Sequence, residues 1–269
     1  MTLLVCAIVL GLVEGLTEFL PVSSTGHLIL VADLIHFDSV VGKDVAHVFE
    51  IFIQLGAILA VLAAYPMRFR ALLDFRRKEG FAGLRGLALL AVTSIPAALV
   101  GLGVHHHIEK RLFNPTTVAI GLGLGALWIL MVERFLSRGP IASMDRLTWR
   151  EALKVGLYQC LALWPGMSRS SSTILGGMMS GLERKVATEY SFLAAVPIIV
   201  MAAGYSLAKS GPALTGELSL AFLVGFAVSF LVALVTIKAF MRFLRRYTLE
   251  SFGWYRLVVA GVVLARWIW

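Results

Sequence analysis

The segment EGLTEFLPVSSTGH, Glu14 to His27, interrupts two apolar runs with two carboxylates, the consecutive hydroxyls Ser23, Ser24 and Thr25, and an imidazole. Glu14 and Glu18 are four residues apart and so share one helical face. Carboxylates that close either share a proton or bind a cation, and oxygen ligands suit a hard divalent ion, Mg2+ or Ca2+. Ser24 and His27 are three apart, so the imidazole can lie over the serine's turn and take its proton. His27 as the nucleophile itself fits the sequence equally well. A second polar break, LALWPGMSRSSST, holds Arg169 between Ser168 and Ser170, where a fixed fork of donors suits a phosphate. The alternative for Arg169 is to brace the first break through Glu14 or Glu18.

These residues need elements to position them. The apolar pieces that follow the breaks, 28–37 and 170–180, are ten and eleven residues long, too short at 1.5 Å per residue to cross a hydrocarbon core about 30 Å thick. Each follows a longer apolar piece, 1–20 or 151–164, so two re-entrant helical hairpins are expected. Irregular backbone at that depth must be satisfied by protein or a wet cavity. A half-helix start offers free N–H groups and a positive dipole end. Ser23, Ser24 and Thr25 ahead of one half-helix and Ser170, Ser171 and Ser172 ahead of the other add donors, more than capping alone requires. Two such starts facing each other would hold a doubly phosphorylated group.

The rest of the chain fits a bilayer. It is 59% hydrophobic and 15% charged, with a mean hydropathy of +0.86, far more apolar than an average soluble domain. Apolar stretches at 46–65, 84–104, 116–135, 187–208, 217–240 and 254–269 predict six transmembrane helices. The fold class expected is therefore an all-α polytopic membrane protein with six spans and two hairpins. The net charge of +8 does not indicate nucleic acid, because the cations sort by loop. Sixteen lie on one face, in the loops around 68–85, 134–150, 184–185 and 238–246, against Lys43, Lys110, Arg111 and Lys209 on the other. The positive-inside rule puts the sixteen in the cytoplasm and the first hairpin's mouth outside. No basic residue precedes the first apolar run, so a cleaved signal peptide is not expected.

The order of features repeats, with residues 1–136 answered by 150–269: a hairpin (1–37 or 151–180), then three spans. Three is odd, so the halves must insert with opposite orientation, as an inverted repeat within a single membrane domain. Such repeats place their site near the midplane, where broken helices converge. Other polar residues read more plainly. His105, His106 and His107 suggest a solvated loop, Trp267 and Trp269 an interfacial anchor, and Glu50, Gln54 and Glu189 partners for the hairpin turns. Cys6 and Cys160 have neither metal nor disulfide-framework spacing.

EGLTEFLPVSSTGH and LALWPGMSRSSST, together with FEIFIQLGAILAV and FLAAVPI, resemble the signature regions of the bacterial undecaprenyl-pyrophosphate phosphatase (bacitracin-resistance) family, and the likeness runs the full chain. The resemblance implies an inner-membrane phosphatase that removes the terminal phosphate of undecaprenyl pyrophosphate, with inverted repeats and a divalent-cation requirement. It implies that Glu14 and Glu18 bind the metal or assist protonation, that Ser24 and His27 perform attack and proton transfer, and that Arg169 holds the pyrophosphate. Ser23, Thr25, Ser168, Ser170 and Thr173 would line the pocket, which would open to the outer face. Ser171 stands where the family usually has Gly. The partners expected are the polyprenyl pyrophosphate and membrane lipids, with a homodimer as an open option and no nucleic acid. Inverted repeats equally serve secondary carriers, so a polyprenyl-phosphate transporter or flippase is the alternative.

Overall fold

The computed structural model describes residues 2–112, 114–136, 139–210 and 217–268. Helices follow one another as α1 (Leu3–Thr17), α2 (Ser24–Leu34), α3 (Phe37–Val41), α4 (Lys43–Ala64), α5 (Pro66–Leu73) and α6 (Gly83–Leu112). They continue as α7 (Pro115–Phe135), α8 (Trp149–Gln159), α9 (Arg169–Met179), α10 (Arg184–Ser210), α11 (Glu217–Phe243) and α12 (Glu250–Ile268). Among the described residues no strand forms beyond an isolated bridge between Ile141 and Leu182.

Among the described residues five helices are long and apolar enough to cross a membrane: Lys43–Ala64, Gly83–Val104, Pro115–Phe135, Arg184–Tyr205 and Leu218–Phe243. The sixth expected span falls on α12, whose 19 residues are interrupted by a buried charge, Arg256. The chain is thus an all-α multi-pass membrane protein. The polar breaks fall between α1 and α2 and between α8 and α9, with 15 residues in α1 and 11 in each of the others. His105, His106 and His107 belong to α6 rather than to a loop, since no Gly or Pro lies between them and Asn114 with Pro115. Trp269 lies outside the described residues.

The short first helix is held by close approach to α11. A Cβ added at Gly11 would sit 2.6 Å from the Gly225 carbonyl oxygen, and one at Gly15 would sit 2.7 Å from that of Ser229. Small residues spaced four apart let helix backbones meet this closely where lipid offers no hydrophobic drive. α11 also packs on α4, α8 packs on α6, α10 on α9 and α4, and α12 on α7. The main core lies where these meet, with Phe19, Phe192 and Tyr190 fully buried within it.

Candidate functional site

Ser23 and Ser168 open the two helices after the breaks with the same backbone. Both have positive φ, 75° and 76°, and each hydroxyl accepts from the N–H three residues on, Gly26 for Ser23 and Ser171 for Ser168. A Cβ makes this region strained, and such residues persist where surroundings over-determine them, often at functional sites. Because these two serines already cap, Ser24, Thr25, Ser170, Ser171 and Ser172 lie inside the first helical turns. This corrects the expectation of three hydroxyls ahead of each helix. Ser171 takes no positive φ and needs no glycine.

Glu18 joins the two starts. Its Oε2 accepts from the Ser24 hydroxyl, and its Oε1 accepts from Arg169 Nη2 at 3.0 Å. Arg169 also donates to Ser191 on α10, to the carbonyl at 3.0 Å and to Oγ at 3.3 Å, and its guanidinium lies 5.9 Å from the Phe19 ring centroid. A second link runs from Ser170 Oγ to the Leu20 carbonyl at 2.7 Å. Ser168 and Ser170 hydroxyls meet at 3.0 Å. Thr173 donates to the Arg169 carbonyl at 2.9 Å and meets Ser191 Oγ at 2.6 Å. Thr25 is half-buried beside them.

Glu14 lies one turn before Glu18 and is fully buried, yet among the described residues neither carboxylate oxygen has a hydrogen-bond partner; Arg169 Nε and the Ser171 and Ser172 hydroxyls also lack one there. Orphaned carboxylate oxygens beside a second acid match the donor set of a hard cation. Among the described residues no three His, Cys, Asp or Glu side chains gather into a metal cluster. Two carboxylates alone suit a cation shared with substrate phosphate oxygens.

His27 does not face Ser24. Its Nδ1 lies 2.8 Å from the Ser23 carbonyl and its Nε2 lies 2.8 Å from the Tyr255 hydroxyl, whose ring stacks on it at 5.7 Å and 8°. Both ring nitrogens are engaged elsewhere, so the serine's proton acceptor in this arrangement is Glu18. Glu189 pairs with Arg68 at 2.9 Å instead of bonding a hairpin turn. Glu50 and Gln54 make no hydrogen bond to either break among the described residues.

Sequence reasoning missed Arg256. Fully buried, it donates to the carbonyls of Pro21 (3.1 Å) in the first break, of Gly166 (2.8 Å) and Met167 (3.2 Å) in the second, and of Gly121 and Leu122 (3.2 Å each) on α7. Tyr255 and Ser191 were missed too. The signal for Arg256 was present: a lone Arg amid FGWYRLVVAGVVLA is expensive in a membrane unless satisfied.

Side chains from both breaks thus meet at Glu18, with further contacts to Ser191 on α10 and Tyr255 on α12. The full length of the chain has named counterparts. A protein of Maridesulfovibrio salexigens named undecaprenyl-diphosphatase is 50% identical over 267 residues, covering 99% of this chain and 100% of that one. Another of that name from Nitratidesulfovibrio vulgaris is 50% identical over 260 residues, 97% of each chain, and one from Clostridium tetani is 45% identical over 269 residues, 98% of this chain and 96% of that one. Residues 7–262 match the family described as Bacitracin resistance protein BacA, and the chain belongs to that family.

Proposed function

We propose that this protein hydrolyses undecaprenyl diphosphate to undecaprenyl phosphate and inorganic phosphate in the bacterial inner membrane. It thereby returns the lipid carrier to cell-wall synthesis and confers bacitracin resistance. The observation that carries the reading is Glu18, which holds the Ser24 hydroxyl on one oxygen and the Arg169 guanidinium on the other. A nucleophile, its proton acceptor and a phosphate-binding fork thus converge. The name borne by relatives about 50% identical over nearly the whole chain supports the same reaction.

In this mechanism the pyrophosphate lies across the starts of α2 and α9, where free N–H groups and the dipoles favour negative charge. Arg169 exchanges Glu18 for the terminal phosphate and offsets the charge growing on its oxygens. The Ser24 oxygen forms a bond to the terminal phosphorus while the bond to the bridging oxygen breaks, releasing undecaprenyl phosphate. Glu18 takes the serine proton and returns it as water cleaves the phosphoserine to inorganic phosphate. Glu14 and Glu18 would hold a divalent cation, Mg2+ or Ca2+, which supplies further neutralisation of phosphoryl charge when bound. His27 fixes the Ser23 carbonyl and thereby the start of α2. Ser23, Thr25, Ser168, Ser170 and Thr173 line the pocket.

Two inverted repeats, 1–136 and 150–269, support this site. The pairings are reciprocal: α1 of the first half packs on α11 of the second, and α8 of the second packs on α6 of the first. The matched φ of Ser23 and Ser168 agrees. With the cation-rich loops in the cytoplasm, the first hairpin opens outward. A carrier is not favoured, since transport alone gives no reason to hold a serine hydroxyl on a carboxylate.

Inorganic phosphate released from a polyprenyl diphosphate by the purified protein tests the reading. Ser24→Ala and Glu18→Gln are expected to lower kcat by about 10²-fold or more. Unchanged turnover in Ser24→Ala would overturn the serine mechanism, and no release by the intact protein would overturn the hydrolase.

A further inference from the structure

We propose a second anion site on the cation-rich face, a groove that binds the phosphate-bearing headgroup of a lipid. It stands on its own observations and does not depend on the reaction above. Two cavities, of about 440 and 320 Å3, share Tyr65 as a common wall. Arg68 and Arg77 line the first, and Lys238, Arg242 and Arg245 line the second.

The only carboxylate lining either cavity among the described residues is Glu189. It is held by Arg68 Nε at 2.9 Å, which leaves the two terminal nitrogens of that guanidinium without a partner among the described residues. Arg77 has an exposed contact with Asp74 at 3.5 Å, the kind of surface pair that contributes little. Lys238, Arg242 and Arg245 make no ion pair among the described residues. Five cations facing one committed carboxylate repel one another and leave unfilled demand for an anion.

A general excess of positive charge accounts for cations in loops. It does not account for Lys238, Arg242 and Arg245 lining one cavity. Lys238 and Arg242 are four apart on α11, so they share one face of that helix, and Arg245 follows just past its end. Ile237, which is buried, and Met241 line the same second cavity. Tyr65 ends α4 and Pro66 begins α5, which puts the groove at a helix terminus, the level where Tyr residues sit among lipid headgroups. Cations above an apolar floor match a phosphodiester with an acyl chain below it, as in basic pockets between helices that take anionic lipids. Inorganic phosphate offers the same charge without the chain.

The test uses the full-length protein in detergent, exchanged into mixed micelles of phosphatidylglycerol and phosphatidylcholine. Retained lipid is counted by native mass spectrometry for the wild type and for Lys238→Gln/Arg242→Gln/Arg245→Gln. The control removes exposed cations elsewhere on the same face, as Arg76→Gln/Arg134→Gln/Arg150→Gln. Retained phosphatidylglycerol is expected to fall at least fivefold in the first variant and less than twofold in the control. Retention that resists 10 mM inorganic phosphate identifies a lipid as the occupant. Phosphate binding to the wild type that the first variant loses, without lipid retention, identifies the free anion in the same groove. Equal losses in both variants, or no loss in the first while both keep the wild-type melting temperature, would overturn the proposal.

Discussion

Replacing Arg256 with Ala removes the one side chain that ties both breaks to α7. Its five acceptors are not equivalent. The Gly121 and Leu122 carbonyls belong to α7 and keep their own helical N–H partners, so they lose little. The carbonyls of Pro21, Gly166 and Met167 lie in the breaks, and among the described residues no backbone N–H outside the regular helices reaches them. Leaving a buried acceptor unsatisfied costs about 1–3 kcal/mol each. Three give roughly 3–9 kcal/mol, and partial relaxation keeps the expected loss near 3–5 kcal/mol, a large share of a typical domain's ~5–15 kcal/mol. Arg256→Lys keeps the charge but has three donors on one nitrogen in place of a planar fork. It should recover about half of that loss.

The effect on turnover follows from position. Pro21, Gly166 and Met167 lead directly into Ser23 and Ser168, which set the starts of α2 and α9. A displacement of about 1 Å there is expected to cost on the order of 10²-fold in rate. Thermal unfolding in detergent reads the stability, and phosphate release from a polyprenyl diphosphate reads the rate. An Arg256→Ala protein melting within about 2 °C of wild type with full kcat would refute the reasoning, because three orphaned carbonyls cannot be that cheap.

Other substitutions test neighbouring claims. Gly166 has φ +96° and a Cβ there would lie 2.3 Å from the Val118 carbonyl oxygen, so Gly166→Ala should destabilise by about 2 kcal/mol or more, read as a lower melting temperature. Glu14→Gln removes a buried carboxylate that has no hydrogen-bond partner; in chelator its melting temperature should equal or exceed the wild type's, while Mg2+ or Ca2+ should stabilise it far less than wild type. Equal cation stabilisation of both would remove Glu14 from the cation site. Tyr255→Phe deletes the partner of His27 Nε2; if His27 only positions α2, kcat should fall by less than about tenfold, whereas a much larger fall would return His27 to the proton transfer.

Much of the site could be read from residue order because its members are either local or charged. Glu18 and Arg169 are ionisable groups in apolar surroundings, and such groups seek each other. The helix breaks were equally visible, since Pro21 and Pro165 with adjacent serines stop a helix on local grounds. What escaped reading was long-range or depended on backbone conformation. His27 is three residues from Ser24, yet an imidazole can also bond the carbonyl four residues back, and Tyr255, which selects that orientation, is 228 residues away. That one serine of each cluster caps its helix depended on positive φ at Ser23 and Ser168, which serine does not advertise. Arg256 lies in 254–269, a stretch that reads as a sixth span, although its lone Arg amid apolar neighbours sets it apart from the others.

The inverted-repeat reading also explains why there is one site and not two. Laying Ser168 over Ser23 without gaps sets Gly156 on Gly11, Gln159 on Glu14, Leu163 on Glu18, Arg169 on Ser24 and Ser172 on His27. The backbone features are shared, as the capping geometry is, but the charges are not. The first half carries both carboxylates and the hydroxyl that meets Glu18; the second carries the guanidinium. Had both halves carried acids, at 159 and 163 as well as at 14 and 18, four carboxylates would converge in an apolar interior against two arginines, Arg169 and Arg256. Had both carried arginine at the position of Arg169, it would stand in place of Ser24 and two guanidiniums would repel. Uncompensated charge at that depth costs several kcal/mol for each group. Divergence of the two halves toward opposite charge is therefore what lets the paired helix starts coexist without substrate. Arg169 and Glu18 neutralise each other, and in the mechanism proposed above the pyrophosphate takes the guanidinium from that pair.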